Sequence, residues 1–411
     1  MFNLPAGAVK MAFGGTMELD YDLFTSVAVS AAATPVSTTT VYQTLQRIDA
    51  LYAELSVPIL GKSNNIPLFN RLDFNTAERY EYQNLHVGSK TVPKYGFTWA
   101  PVDSILFRGS ISDGWRPPSP TENRAVTQVI ATSGADPARG NVVSPYNQIR
   151  GPNPDLKAET SKTKFIGLVY NPKFVKGLSL NVNWYSTTQK NAIQTITSAI
   201  VLANPTLFPN AIVRAAPTAA DTAAGQPGAL ISVANYMENF GTLRNDSVDY
   251  GAEYEFPWKR FGNWKLTADS SHTLKAIRAL TPGQALINDI GDTYGGPKWK
   301  INSGLFWTSG SWKASLLYSY LSGFNTNLAD VNYLAWNQAT PAVYKIDTTV
   351  GYRFKNGVWR GYAKNLQVNF GISNLLDKAP PFSDTIYSYD PALHSEYVFG
   401  RTFQLSFKLP L

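Results

Sequence analysis

About fourteen stretches of this sequence alternate apolar and polar residues one by one, a two-residue period that fits an extended strand with one apolar and one wet face. The last stretch, residues 401–411, is the clearest. Phe403, Leu405, Phe407, Leu409 and Leu411 share one parity, and Gln404, Ser406 and Lys408 take the other. A helix would scatter these side chains around its circumference. The pattern is already running near the start, where Val9, Met11, Phe13, Met17 and Leu19 oppose Lys10, Ala12, Thr16 and Glu18. It recurs through Leu51 to Val57, Leu72 to Thr76, Tyr95 to Trp99, Ile105 to Ile111, Leu178 to Trp184 and Val248 to Phe256. Further strands carry Trp264 and Leu266, Trp299 and Trp307, Leu316 and Tyr318, Val350 and Tyr352, and Val368 and Phe370.

Such strands build either a soluble sandwich or a barrel with lipid outside and a wet interior. The connections decide, because they alternate in length. Short turns fall near Gly61, Pro101, Pro172, Phe261, Ser309 and Gly357, and long loops near Pro35, Glu122, Ala220, Leu286, Leu328 and Pro391, with the modest loop at His86 as the exception. Outer-membrane barrels sort their connections this way, with short periplasmic turns and long extracellular loops. The fold class expected is therefore all-β, a transmembrane antiparallel up-and-down β-barrel. Arg108, Asp249, Glu253, Glu255, Lys300, Asp347 and Arg353 take the inward parity, where a solvated lumen tolerates charge.

Composition agrees and excludes other classes. No run of 18 apolar residues exists, so no helix is expected to span a membrane, a test that alternating strands evade. The 22 Tyr, 21 Phe and 10 Trp suit interfacial girdles. With no Cys there is neither disulfide nor thiolate chemistry. His86, His272 and His394 are too scattered for a zinc spacing, so no metal and no cofactor is expected. The net charge of +7 is spread without a Lys/Arg block, which gives no support to nucleic-acid binding. The opening residues lack a basic segment followed by an apolar one, so they do not read as a signal peptide.

Three stretches carry a family resemblance. Arg108-Gly109-Ser110-Ile111-Ser112-Asp113-Gly114-Trp115-Arg116-Pro117-Pro118-Ser119, then Asn153-Pro154-Asp155-Leu156-Lys157-Ala158-Glu159-Thr160-Ser161, then Asn374-Leu375-Leu376-Asp377-Lys378-Ala379-Pro380-Pro381 occur in that order, and Gly400-Arg401 opens the last strand. This series resembles TonB-dependent outer-membrane receptors. The matching motif positions are Arg108, Gly109, Gly114, Pro118, Asn153, Pro154, Leu156, Glu159, Asn374, Leu375, Asp377, Lys378, Gly400 and Arg401. Ala158 stands where the family usually has Pro, and Leu411 where it usually ends in Phe or Trp.

The resemblance implies a barrel of about 22 strands around an N-terminal plug that also carries the TonB-contacting segment. About fourteen strands are counted here and no plug, so residues 1–411 are expected to be the C-terminal portion of such a barrel. The implied function is outer-membrane reception and TonB-energised uptake of a scarce large ligand of the siderophore, cobalamin or glycan class, when the receptor is complete. Implied partners are outer-membrane lipid, the extracellular ligand, TonB through an N-terminal region outside this chain, and the barrel-assembly machinery through the last strand. Trp115 and Arg116 are candidate ligand contacts, an aromatic surface beside a cation, with bracing of the rim as the competing role. Ligand specificity is expected to lie in the loops spanning 113–160 and 195–244.

Two other classes stay in view. One is a passive pore in which fourteen strands close on themselves, or a non-functional remnant. The other is a barrel-embedded hydrolase around His272, with Asp269, Ser270 and Ser271 beside it. Neighbours on one strand point to opposite faces and cannot converge as a triad, so the chain reads as a non-enzyme.

Overall fold

The computed structural model describes residues 2–29, 37–84, 88–123, 127–279, 286–292, 295–325, 339–358, 362–383 and 389–409. The expected loop positions Pro35 and Leu328, together with His86 and Leu411, lie outside them. One antiparallel sheet dominates, and its strands follow chain order: β1 (Lys10–Val29), β2 (Ser37–Gly61), β3 (Arg71–Gln83), β4 (Gly88–Val102), β5 (Ile105–Arg116), β6 (Glu159–Tyr170), β7 (Leu178–Lys190), β8 (Thr242–Trp258), β9 (Gly262–Arg278), β10 (Trp299–Ser309), β11 (Trp312–Leu321), β12 (Val343–Phe354), β13 (Leu366–Ser373) and β14 (Thr402–Lys408). This up-and-down path has the expected strand number. Its ends, β1 and β14, do not pair with each other among the described residues, so the sheet stays open.

The register lines the aromatic side chains up into two bands. Trp184, Val248, His272 and Trp299 form one row across β7 to β10, with the His272 and Trp299 rings stacked 3.8 Å apart. Phe256, Trp264 and Trp307 form the opposite row, extended by Trp258 at 6.4 Å from Trp264. On β9 the separation from Trp264 to His272 is about 27 Å at ~3.4 Å per residue, or about 20 Å along the membrane normal at a tilt of ~40°. That is close to the height of a lipid-facing apolar band between two aromatic girdles.

The apolar face between these rows is not covered by protein. Phe13 is 77% exposed, Phe403 64% and Phe407 65%. A soluble sandwich would bury this face against a second sheet, whereas here it faces outward as a barrel wall faces lipid. The other face is polar and internally paired. Lys265 bridges Glu253 at 2.7 Å and Glu255 at 3.1 Å, and Thr163 meets Thr187 at 3.1 Å.

The structure departs from the sequence reading at the loops. The long loop expected near Pro35 is flanked by longer strands than the alternation indicated, since β1 runs to Val29 and β2 starts at Ser37, where the Thr- and Val-rich sequence favours extended pairing. The 113–160 and 195–244 loops also contain regular structure. The first holds a hairpin of Gln128–Asp136 with Val142–Gly151. The second holds the helices Ser198–Ala203 and Ala219–Ala223 and the strands Ile212–Arg214 and Leu230–Asn239. Leu230–Asn239 pairs in parallel with Val142–Gly151, so the two loops fold together as one module.

Candidate functional site: the loop module on the barrel rim

The module has its own small core. Tyr146 from the first loop packs with Ile196, Val201, Leu202, Leu230, Val233 and Phe240 from the second. Val233 is 0% exposed and Val201 1%. Local signals explain the fold of each piece. Thr197 accepts a hydrogen bond from the Ile200 amide to cap one helix, and Thr218 with Asp221 forms a capping box on the other. Asp136 accepts from the Ala138 amide ahead of a Pro137–Arg139 turn that ends at Gly140, which has a φ of 66°.

Two ion pairs lock the loops together. Asp136, fully buried, receives Arg214 through two hydrogen bonds of 2.6 and 2.8 Å. Arg139 reaches back to Asp221 at 2.7 Å and to the Pro227 carbonyl at 2.9 Å. Arg214 beside Asp136 holds that carboxyl below its ordinary range, and the Thr218 amide does the same for Asp221. Glu238 moves the other way, pushed up by burial and by the nearby Asp155 carboxylate.

The module joins the barrel at the first two motifs. β5 and β6 leave the sheet with Arg116 opposite Glu159. The Arg116 guanidinium donates to Glu159 at 2.5 Å and grips Glu122 with two hydrogen bonds of 2.9 and 3.1 Å. Burial pushes the Glu122 carboxyl up, but the hydrogen bonds from Arg116 and the Ser119 amide outweigh it and leave the group below the usual carboxylate range. Glu159, nearly buried, also accepts from Gln189 at 2.9 Å and from the Ile193 amide at 2.6 Å. One carboxylate thus ties the start of β6, the end of β7 and the second loop.

Trp115 pairs with Thr160 and takes the opposite parity from Arg116. The structure therefore does not bring Trp115 and Arg116 together on one face. Within the first motif, Gly109 lies under the Phe97 ring, where a Cβ would come within 2.5 Å of a ring carbon. Arg108 points to the polar side, donating to Asn183 at 2.9 Å beneath the Phe165 ring. Gly114 faces Ser161 across β5 and β6, and Pro118 is fully buried.

The second motif works as a clasp. The Asn153 side chain donates to the Met237 carbonyl at 2.9 Å and accepts from the Asp155 amide ahead of which Pro154 sits, while Leu156 is 5% exposed. Sequence reasoning missed the residue on the other side of this clasp. Asn239 accepts from the Lys157 amide at 2.5 Å and donates to the Lys157 and Asn191 carbonyls at 2.7 and 2.8 Å. The sequence reading also missed Asp136 and Arg214; the Asp136-Pro137 turn signal could have pointed to the first, but no local signal points to the second.

The third motif forms a separate clasp over the last hairpin. Asn374, 1% exposed, donates to the Lys378 carbonyl at 2.7 Å and accepts from the Lys378 amide at 2.9 Å. Its own amide donates to Asp347 at 2.7 Å, and the Leu375 amide donates to the Ile346 carbonyl at 2.7 Å. Asp377 accepts from the Arg401 amide at 2.8 Å across the long loop. Gly400 turns there with a φ of +61°, and a Cβ would sit 3.0 Å from that Asp377 carboxylate. Lys378 lies over the Tyr344 ring at 4.8 Å.

His272 stays on the outward face, stacked on Trp299, while Asp269 and Ser271 take the inward parity, so no triad forms there. Among the described residues no group of three or more His, Asp or Glu side chains is placed to hold a metal.

The chain as a whole is similar to known proteins. The family model described as "TonB dependent receptor-like, beta-barrel" matches residues 2–375. No curated protein matches the sequence. Among solved structures, a mutant of the ferric enterobactin receptor PfeA from Pseudomonas aeruginosa aligns at 16% identity and a TM-score of 0.60, covering 89% of this chain and 45% of that one. The siderophore receptor PirA from Acinetobacter baumannii aligns at 15% identity and a TM-score of 0.62, over 96% of this chain and 55% of its own. The copper transporter OprC aligns at 15% identity and a TM-score of 0.54, over 90% and 49%. The chain thus spans about half the length of the structures it resembles. On the family match over nearly all of its length, the chain belongs to the TonB-dependent receptor β-barrel family.

Proposed function

We propose that this chain is the C-terminal part of the wall, with the ligand-facing loops, of an outer-membrane receptor that takes up a scarce large ligand. The observation that carries this reading is the single folded module made from the two longest loops, seated at the rim of a sheet that is apolar outside and polar inside. A passive porin needs no such cap. An ordered module with its own core supplies a preorganised surface, which lowers the entropic cost of capturing a dilute ligand.

In this reading Arg116 is a positioning residue that anchors the module through Glu122 and Glu159, and ligand contacts come from the outer surface of the module. The open sheet favours a wall completed by further strands over a self-closed fourteen-stranded pore. Energy coupling through TonB would then enter by a region N-terminal to this chain, and the family relation supports transport over catalysis. The ligand belongs to the siderophore, cobalamin or glycan class. The solved relatives include receptors for iron chelates and a copper transporter, so their names favour small metal-bearing cargo without selecting one.

The test is ligand binding by the full-length receptor in detergent, followed by tryptophan fluorescence against ferric siderophores, cobalamin and oligosaccharides. Saturable binding of one class, weakened by Asp136→Ala in the module, is the expected result. Steady single-channel conductance with no saturable ligand would instead support the passive pore.

A further inference from the structure

The outer face of β6, β7 and β8 carries a basic recess that the uptake function does not use. Lys90, Lys162, Lys164, Lys190 and Arg244 line it, with Asp113 as the one carboxylate. By pairing parity Lys162 and Lys164 on β6, Lys190 on β7 and Arg244 on β8 share the face of Ile166 and Trp184, which is the lipid-facing side. Lys90 borders the recess from the upper part of β4, where it shares the inward parity of Lys94 and Thr98 and stands opposite Glu81, so the outward cations are those of β6 to β8.

Its height on the wall is informative. Trp184 belongs to the upper aromatic row, and Lys164 and Lys162 stand two and four residues beyond its partner Ile166 on β6. At ~3.4 Å per residue and a tilt of ~40°, these two lysines leave the wall about 5–10 Å above the girdle and Lys190, six residues beyond Trp184 on β7, about 15 Å above it, so the recess runs from the depth of lipid headgroups to just above them. Cations that face outward at this depth have lipid headgroups as their neighbours rather than the lumen.

Only part of the charge is neutralised by protein. Asp113 pairs with Lys162 at 3.3 Å, and Asp246 with Arg244 at 2.8 Å. Among the described residues no carboxylate forms an ion pair with Lys164 or Lys190, and both are exposed. Ser186 and Thr188 add hydroxyls to the lining, although Ser186 already donates to Asp246 at 2.6 Å. Several ammonium groups and hydroxyls around one recess suit phosphate oxygens, each a strong acceptor of charge-assisted hydrogen bonds.

We propose that this recess docks the phosphorylated headgroup of an outer-leaflet lipid, with Lys164 and Lys190 as its principal contacts and the acyl chains lying on the apolar belt below. Charge complementarity at headgroup depth selects a lipid over a soluble partner, because a protein could not reach this face past the surrounding membrane.

The experiment uses the full-length receptor extracted from outer membranes, delipidated in detergent and titrated with diphosphorylated lipid A, its dephosphorylated form, or inorganic phosphate, with retention read by native mass spectrometry. Wild type should retain the phosphorylated lipid, and K164A/K190A should weaken that retention at least tenfold. Lys300→Ala, on the inward face, should leave it unchanged. Heat-modifiable gel mobility establishes that each variant is folded, and the single variants K164A and K190A, expected to weaken retention partially, serve if the double variant is not. Equal retention of the dephosphorylated lipid overturns the proposal. So does unchanged retention by a folded double variant, or displacement of the lipid by inorganic phosphate at equal concentration, which would mark a general anion site.

Discussion

Asp136→Ala should release the loop module while leaving the wall intact. The Asp136 carboxylate is fully buried and accepts two hydrogen bonds from Arg214, at 2.6 and 2.8 Å, and one from the Ala138 amide at 3.1 Å. Its removal strands a guanidinium against the module. Breaking one side of a buried ion pair costs about 3–5 kcal/mol. Arg214 keeps 19% side-chain exposure and its 3.1 Å bond to the Gly228 carbonyl, which lowers the expected cost to about 2–3 kcal/mol. At ~1.4 kcal/mol per tenfold, amide protection in the module should fall roughly 30- to 150-fold. Hydrogen exchange on the detergent-solubilised protein can resolve this by peptide, comparing Val142–Gly151 and Leu230–Asn239 with β9 and β10 as internal reference. The double variant D136L/R214M, which removes both charges, should recover most of the loss. Unchanged exchange in Asp136→Ala, or an equal loss of protection throughout β9 and β10, would refute the idea of a module stabilised separately from the sheet.

Three further outcomes follow from the same structure. Asp136 and Asp221 have depressed pKa values in the folded protein, so their contribution is present above the ordinary Asp range and is lost as pH falls through the lower folded values; exchange in the module should rise on acidification before β9 and β10 respond. Glu238 has a raised pKa, so its ionised form opposes folding above that value; Glu238→Gln should slow module exchange at pH 7 and lose the effect below about pH 4, where both states are protonated. Asn374→Ala removes both side-chain bonds to the Lys378 backbone at a 1% exposed site and should destabilise the β12–β13 end of the sheet by about 2–3 kcal/mol, read as a lower temperature for loss of the heat-modifiable folded form.

The wall was legible because its physics is local. Parity assigned Phe403, Leu405 and Phe407 to the outer face and Glu253, Glu255 and Arg108 to the inner one, and the structure keeps those assignments. The motif residues were legible as a set but not as joints. Nothing in the Asn153 or Glu159 context names Met237, Gln189 or Ile193 as the groups they hold. The module was missed for a related reason. Its strands are short, its central pairing is parallel, and its core takes Tyr146 from one loop and Val233 from the other, a contact that no window on the sequence contains. Trp115 and Arg116 were read as one surface because they are adjacent, whereas adjacency on a strand puts them on opposite faces.

The Asn153–Met237 clasp joins residues 84 positions apart, and between them the chain must make β6 and β7. The module can therefore close only after β5 to β7 have come side by side in register. A one-residue slip in any of these pairs would move Glu159 off the face of Arg116 and Gln189 and misplace both loops. Closure of the module thus acts as a late checkpoint on wall assembly. A mis-registered barrel would leave the two loops apart and open to proteases, so susceptibility to cleavage in these loops would mark which copies were built correctly.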